Sequence, residues 1–399
     1  MTDRYDVVVV GARIAGAGTA LLLARAGLRV AVVDRARRGA DTVSTHALMR
    51  AGVMQLDRWG ILPAVRAAGT PPVRRTLFHY PGETVQVTIR PSIGVDALYA
   101  PRRTVLDPLL IDAAAAAGAH VLDRTALVDL LQEGDRVAGV RVRGADGKER
   151  VLRSRITIGA DGIRSDVAGA VRAALERSAT NAGAVLYAYR RDLPTEGYEW
   201  AYGHGAAAGL IPTNGGLTCV FAGTTPERYR DARRRGALTA LRSLFARAAP
   251  GHVTRLDESS AAGPVHAWSG VAGFVRRSWG PGWALVGDAG YFKDPITTHG
   301  MTDALCDAEL LAAAVVDALA SGANEREALA TYQQRRDSLS SLLFDVTDRI
   351  ASYRWTLAEV PGLLREASSA MTDEVEFLQH LDAPAAGPAS GRGSLTAVD

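Results

Sequence analysis

The chain has almost no cysteine and almost no lysine. Its two cysteines, Cys219 and Cys306, stand far apart in 399 residues and form no CxxC pair. That pattern excludes a disulfide framework and a thiolate zinc site, and it fits a reducing cytoplasm. Lysine occurs only at Lys148 and Lys293, so the 46 basic residues are nearly all arginine, which we read as coding bias. A surplus of charge is missing as well. The basic side chains face 43 acidic ones, and a net charge of +3 leaves no footprint for nucleic acid or an anionic membrane. No apolar run approaches the roughly 18 residues of a membrane helix. The charged start TDRYD with its short apolar sequel is not a signal-peptide pattern. The expectation is a soluble, cytoplasmic protein without a metal site. What remains is an ordinary globular composition, 47% hydrophobic and 22% charged, long enough for two or three domains.

The most informative stretch is VVVVGARIAGAG, residues 7–18. Val7 to Val10 read as a strand buried on both faces, as in a parallel sheet. Gly11 turns the chain, Ile14 to Ala26 form a helix closed by Gly27, and Leu28 to Val33 form a second strand ending at Asp34. This is a βαβ unit with a dinucleotide fingerprint in its first turn. The three glycines of that fingerprint normally supply a tight turn, close approach to pyrophosphate, and helix–strand packing. Gly11 and Gly16 keep the first and third tasks, but Arg13 stands where the second glycine belongs. Its Cβ must point away from the ligand, with the guanidinium at the rim, where it neutralises phosphate charge. Asp34, 23 residues after Gly11, is placed to accept from ribose hydroxyls. A carboxylate there favours FAD or NAD over NADP.

Two further signatures follow: GADGIRS at 159–165 after a short apolar strand, and WALVGDAGYFKDPITTHGMTDALCDAELLAAAV at 283–315. An early glycine fingerprint, a central Asp-Gly and a late Gly-Asp, in this order and spacing, resemble the FAD-dependent monooxygenases of the 4-hydroxybenzoate hydroxylase type. The likeness spans residues 5 to about 320. The resemblance implies that Gly11, Ala12, Ile14, Ala15 and Gly16 line the pyrophosphate, with Asp34, Arg35 and Val128 completing that side of the FAD contacts. It assigns Asp161-Gly162 to FAD and NAD(P)H binding, and Gly287-Asp288 to the ribityl chain. Pro295, Gly300 and Met301 match the loop and helix start around the flavin ring, and Arg103 matches an arginine beside the cofactor. Ser44, Thr45 and Arg50 lie in a segment that passes near FAD in that family. Two departures stand out: Tyr291 replaces the usual histidine of Gly-Asp-Ala-x-His, and Thr298-His299 precede Gly300-Met301. Thr302 or Asp303 is expected to cap the following helix. Tyr291 and His299 are the weak catalytic candidates, His299 reading more readily as a solvated loop residue. Lys293 reads as an exposed loop lysine, although a fixed cation near flavin would favour reaction with dioxygen. Cys306 reads as packing.

The implied architecture is α/β: a Rossmann-like FAD-binding domain with an interleaved mixed β-sheet substrate domain and C-terminal helices. The FAD-binding domain takes residues 1–72, 101–181 and 277–325, and the substrate domain takes 73–100 and 182–276. A helical segment covers 326–382, and a disordered tail covers 383–399. Residues 45–67 read as helices, 73–100 and 182–224 as strands covering the flavin, and 325–350 and 358–379 as helices separated near Pro361. Tyr187, Tyr189, Trp200 and Tyr202 are either core or substrate wall.

The expected activity is oxygenation of a small aromatic or polyketide-like molecule, with FAD as cofactor, NAD(P)H as reductant and dioxygen as co-substrate. The sequence says nothing of oligomeric state. Halogenases of similar fold need a lysine after the first βαβ unit and a Trp-x-Trp-x-x-Pro run. Here no lysine precedes Lys148, and YEWAYGHGAAAGLIP keeps only the final Ile-Pro. Reductases of the geranylgeranyl type remain the alternative, although their cysteine-glycine motif is missing near residues 44–50. A non-catalytic flavoprotein is the third reading.

Overall fold

A computed structural model describes residues 3–92 and 94–381; the tail expected at 383–399 lies outside them. The valine run occupies the strand Asp3–Val10 at the centre of the first sheet, parallel to Val30–Val33 on one side and Glu149–Gly159 on the other. His120–Leu122 extends the sheet beyond Val30–Val33. The strand Glu149–Gly159 is long enough to serve two partners on its outer edge. Its C-terminal end pairs in parallel with Trp283–Leu285, and its N-terminal end pairs antiparallel with Arg136–Arg143, the second arm of a hairpin begun by Ala126–Glu133.

Strand alternation explains why every valine is buried. Val7 and Val9 pack with Leu21, Leu23 and Leu305 under the helices, whereas Val8 and Val10 pack with Val140, Val142 and Leu152. A strand sandwiched between two layers has no polar face to show. The helices on the first side are Ile14–Arg25, Arg103–Ala116 and Gly300–Leu319.

The second sheet is mixed. Its core strands Ala184–Arg191, Thr218–Thr224, Ala206–Pro212 and Tyr198–Gly203 run antiparallel, and Tyr198–Gly203 pairs in parallel with Arg75–Tyr80. Alternation again divides the residues. Tyr187, Tyr189, Trp200, Tyr202 and Phe221 face the main core, while Leu186, Ala188, Ala201 and Val220 pack under the helix Ala237–Ala248. Leu175–Ser178, Phe274–Arg276 and Tyr291–Phe292 form a small third, antiparallel sheet. The architecture is the α/β arrangement expected.

Several boundaries differ from the sequence reading. The first helix after the βαβ unit is Arg50–Arg58, so 45–49 is irregular; only 75–88 of the segment 73–100 forms strands. The last two helices are separated at 352–359, and Pro361 sits just after that break in the first turn of Val360–Gln379. Proline is tolerated there because that N–H has no helical partner. Among the described residues no helix is long and apolar enough to cross a membrane.

Candidate functional site

Gly11, Gly16 and Gly287 show why the three signatures belong together. Gly11 has φ +108°, and a Cβ there would lie 2.3 Å from the carbonyl oxygen of Ala160, just before the Asp-Gly signature. A Cβ on Gly16 would lie 1.9 Å from the Gly11 oxygen, and one on Gly287 (φ +60°) would lie 2.9 Å from the Ala15 Cβ. The glycines are needed so that three segments from distant parts of the chain can touch. Arg13, the misfit of the fingerprint, is the residue before the helix Ile14–Arg25 and makes no side-chain cap. Its guanidinium leaves the turn and lies 3.6 Å from Asp107. Asp107 is already held by Arg103 through two hydrogen bonds of 2.8 and 3.0 Å. Burial, and then the neighbouring charge of Arg103, lower the Arg13 pKa.

Asp34 accepts from the backbone N–H of Ala12 through one oxygen and of Ala36 through the other, both at 2.7 Å. The carboxylate thereby ties the end of the second strand to the fingerprint turn, and each oxygen keeps a further lone pair. Ala12, Arg13, Asp34, Arg37, Gly39 and Asp107 line one cleft. Arg35 is exposed, and Val128 is exposed at a bulge in the hairpin strand. Asp161 turns back on its own segment. It accepts from Ser165 Oγ at 2.5 Å and from the N–H groups of Asp166 and Val167, so it fixes the start of the helix Asp166–Ala170. Burial raises its pKa against those donors.

The late signature builds the other end. Asp288 lies in a 3-10 turn, half-buried, and makes no side-chain hydrogen bond among the described residues. Burial and then the charge of Asp303 push its carboxyl up to about 6, against the pull of Arg103 and Lys293. Pro295 opens a second 3-10 turn capped by Asp294, which also accepts from Gly183 N–H at 2.5 Å and is pushed by burial up to about 7. Thr298 takes the left-handed conformation (φ 52°), and the helix Gly300–Leu319 begins. A Cβ on Gly300 would meet nothing within 4 Å, so the N-terminus of this helix opens onto free space. Unpaired N–H groups and the helix dipole there favour an anionic group. Ser44 Oγ reaches Met301 Sδ at 3.5 Å, and Ser44 N–H donates to Tyr187 Oη at 3.1 Å. Residues 44–49 therefore run between that helix start and the aromatic face of the second sheet. Thr45 is half-buried there, but Arg50 turns away and donates to the carbonyls of Arg90 and Val95.

Three expectations are corrected at this end. Lys293 is buried, its ammonium on Asp303 and 5.0 Å from the centre of the Tyr291 ring, so it is not an exposed loop lysine. Asp303 holds its pKa up although burial alone would lower it. His299 is fully buried rather than solvated, with Nε2 2.7 Å from Glu374 on the last helix and 3.7 Å from Asp303. Burial alone would raise Glu374, but the His299 imidazole keeps it below the usual carboxylate range. Finally, neither Thr302 nor Asp303 caps the helix. Thr302 Oγ1 accepts from Met49 N–H at 3.1 Å, and His299 occupies the cap position without a side-chain bond. Tyr291 is buried against Lys293, and Cys306 packs in the core as expected.

Sequence reasoning missed Glu374, which no local pattern marks, and His46, whose neighbours it had singled out. His46 is buried at positive φ (48°), stacks on Tyr189 and shares a 3.0 Å hydrogen bond with its hydroxyl. Burial, then Arg102, lower its pKa to about 3. Arg102 covers the Tyr189 ring at 4.2 Å, and Tyr187 stacks on His266.

A family model described as an FAD binding domain matches residues 4–347. Among curated relatives, the digeranylgeranylglycerophospholipid reductase of Methanothrix thermoacetophila is 28% identical over 348 residues, covering 84% of each chain. Among solved structures, the flavin-dependent brominase Bmp2 has a TM-score of 0.80 at 18% identity, over 96% of both chains. PqsL of Pseudomonas aeruginosa, in complex with 2-aminobenzoylacetate, has a TM-score of 0.77 at 24% identity, over 91% of this chain and 100% of that one. The two structural likenesses show the fold.

Proposed function

The chain belongs to the FAD binding domain family and is an FAD-dependent oxidoreductase; we propose that it is a monooxygenase acting on a small aromatic molecule, with NAD(P)H as reductant. The residues present fit FAD. Gly11 and Gly16 let the turn close tightly at the start of the helix Ile14–Arg25, where the pyrophosphate would sit, Asp34 offers lone pairs to the adenosine ribose, and Asp288 is a carboxylate without a hydrogen-bond partner for the ribityl chain. The open N-terminus of the helix Gly300–Leu319 would hold the pyrimidine end. Bound FAD supplies the redox chemistry with dioxygen, and the protein contributes orientation and exclusion of water.

The observation that carries the reading is the aromatic wall beside the helix start. Tyr187 touches Ser44, Ser44 touches Met301, and Tyr189, His46 and His266 continue the same surface. These rings are buried on one another, so they present an aromatic rim beside the helix start that suits a planar substrate next to a planar cofactor. The test is product analysis with labelled dioxygen. Candidate aromatic compounds are screened for faster NAD(P)H oxidation, and the product is expected to gain one labelled oxygen.

The second reading is a reductase, favoured by the names of the curated relatives. Against it, residues 41–50 contain no cysteine, and Cys219 and Cys306 are both buried. A product that gains two hydrogens and no oxygen would establish the reductase and overturn the monooxygenase.

A further inference from the structure

A second groove lies at the opposite end of the strand that leads into Asp288. Trp283 begins that strand in the groove, and Leu285 runs on toward Gly287-Asp288 at the other end. The groove encloses about 690 Å³, within the range of sites that hold a nucleotide-sized ligand. Its lining includes Arg172, Arg277 and Arg326, and none of these guanidiniums has a carboxylate partner among the described residues. Three exposed guanidiniums without carboxylate partners along one concavity are an anion-binding arrangement. The acidic residues of the groove do not cancel them. Glu325 is occupied by Arg136, at 2.9 and 2.7 Å, and by Gly282 N–H at 3.0 Å, which leaves only the exposed Asp135.

The groove is also aromatic. Arg277 lies over the Trp279 ring at 4.9 Å, so the cation is stacked rather than extended into solvent. A Cβ on Gly280 would fall 2.4 Å from Trp283 Nε1, so glycine is what allows the second indole to lie flat against this edge. Trp283 is largely buried and lines the groove by its edge, with an N–H that makes no hydrogen bond among the described residues, while Trp279 is the more open indole. Guanidiniums select phosphate geometry, and indoles select planar rings.

We propose that this groove binds a nucleotide, its phosphates on Arg172, Arg277 and Arg326 and its base against the tryptophans, separately from the FAD cleft. The experiment is calorimetric titration of the FAD-loaded, full-length protein with ADP, and separately with pyrophosphate and with adenosine. Saturable ADP binding near one equivalent is expected, with pyrophosphate and adenosine each at least tenfold weaker. Arg277→Ser/Arg326→Ser should weaken ADP at least tenfold with flavin content unchanged, and Trp279→Leu should reduce ADP to the affinity of pyrophosphate. No binding at millimolar ADP, or binding unchanged in the double variant, overturns the site. Equal affinities for ADP and pyrophosphate overturn the base recognition.

Discussion

The end of the site proposed for the adenosine and the end proposed for the flavin are built on different principles. At the adenosine end, backbone geometry does the work. Gly11 and Gly16 permit contact, and one short-range carboxylate, Asp34, ties strand to turn. Charge there is shared among three residues, Arg13, Asp107 and Arg103, with Asp107 and Arg103 largely buried and Arg13 at the rim. At the flavin end, charge is buried and compensated residue by residue: Lys293 by Asp303, and His299 by Glu374 from a helix 75 residues away. The lesson is about tolerance. A local turn survives changes that leave its backbone free, whereas a buried network fails when one member loses its partner.

The largest effect is expected where that contrast predicts least tolerance of volume. Gly11→Val places a side chain against the Ala160 carbonyl in a backbone conformation that valine avoids. The variant should purify colourless, without the flavin absorbance band, or fail to fold by circular dichroism. A yellow, folded variant would show that the signatures do not need this contact. At the flavin end, Lys293→Met leaves Asp303 buried without its cation and should cost about 3–5 kcal/mol of stability in urea unfolding. Lys293→Met/Asp303→Leu should recover most of that loss, because the orphaned charge is gone. A double variant no better than the single one would refute a compensated pair.

Asp288→Asn should weaken FAD by about 1.5–3 kcal/mol, the range for a hydrogen bond to a charged group. The pH dependence sharpens the point. The folded-state pKa of Asp288 is raised to about 6 from 3.8. Its contribution to the stability of the empty protein is therefore present below about pH 4 and lost as the pH rises to about 6. The ionised carboxylate is the better acceptor, so FAD affinity should rise over the same interval. Asp288→Asn should flatten that FAD titration, and an unchanged pH profile would move the dependence to Asp294 or to Asp307, a buried carboxylate that accepts from Gly287 N–H at 2.8 Å and is pushed by burial up to about 6. The smallest effect belongs to Arg13→Gly. Its side chain already leaves the turn, and glycine is acceptable before a helix, so FAD affinity should stay within a factor of about three. A large loss would show that the guanidinium grips the pyrophosphate.

Which of these features the sequence reveals follows from their range. The βαβ unit, its glycine turn and Asp34 lie within one stretch of 28 residues, and their pattern is legible because each constraint is local. A continuous valine run likewise marked the buried strand of the first sheet, and hydrophobic alternation marked strands of the second. The glycine at 287 could be named, but its reason, the approach of Ala15, is a contact across 272 residues. Asp161 illustrates the limit: its motif was visible, yet its bonds to Ser165, Asp166 and Val167 show it also holding a helix start.

The sequence by itself determined the α/β class, the order of the three signatures and the carboxylate at the end of the second strand, because strand period, glycine and capping chemistry act over a few residues. The tertiary structure alone decided that Lys293 and His299 are buried and that Arg50 faces away. It also decided that Glu374 belongs to the site. Burial of a charge depends on which distant partner folds over it, and neither residue type nor spacing encodes that partner.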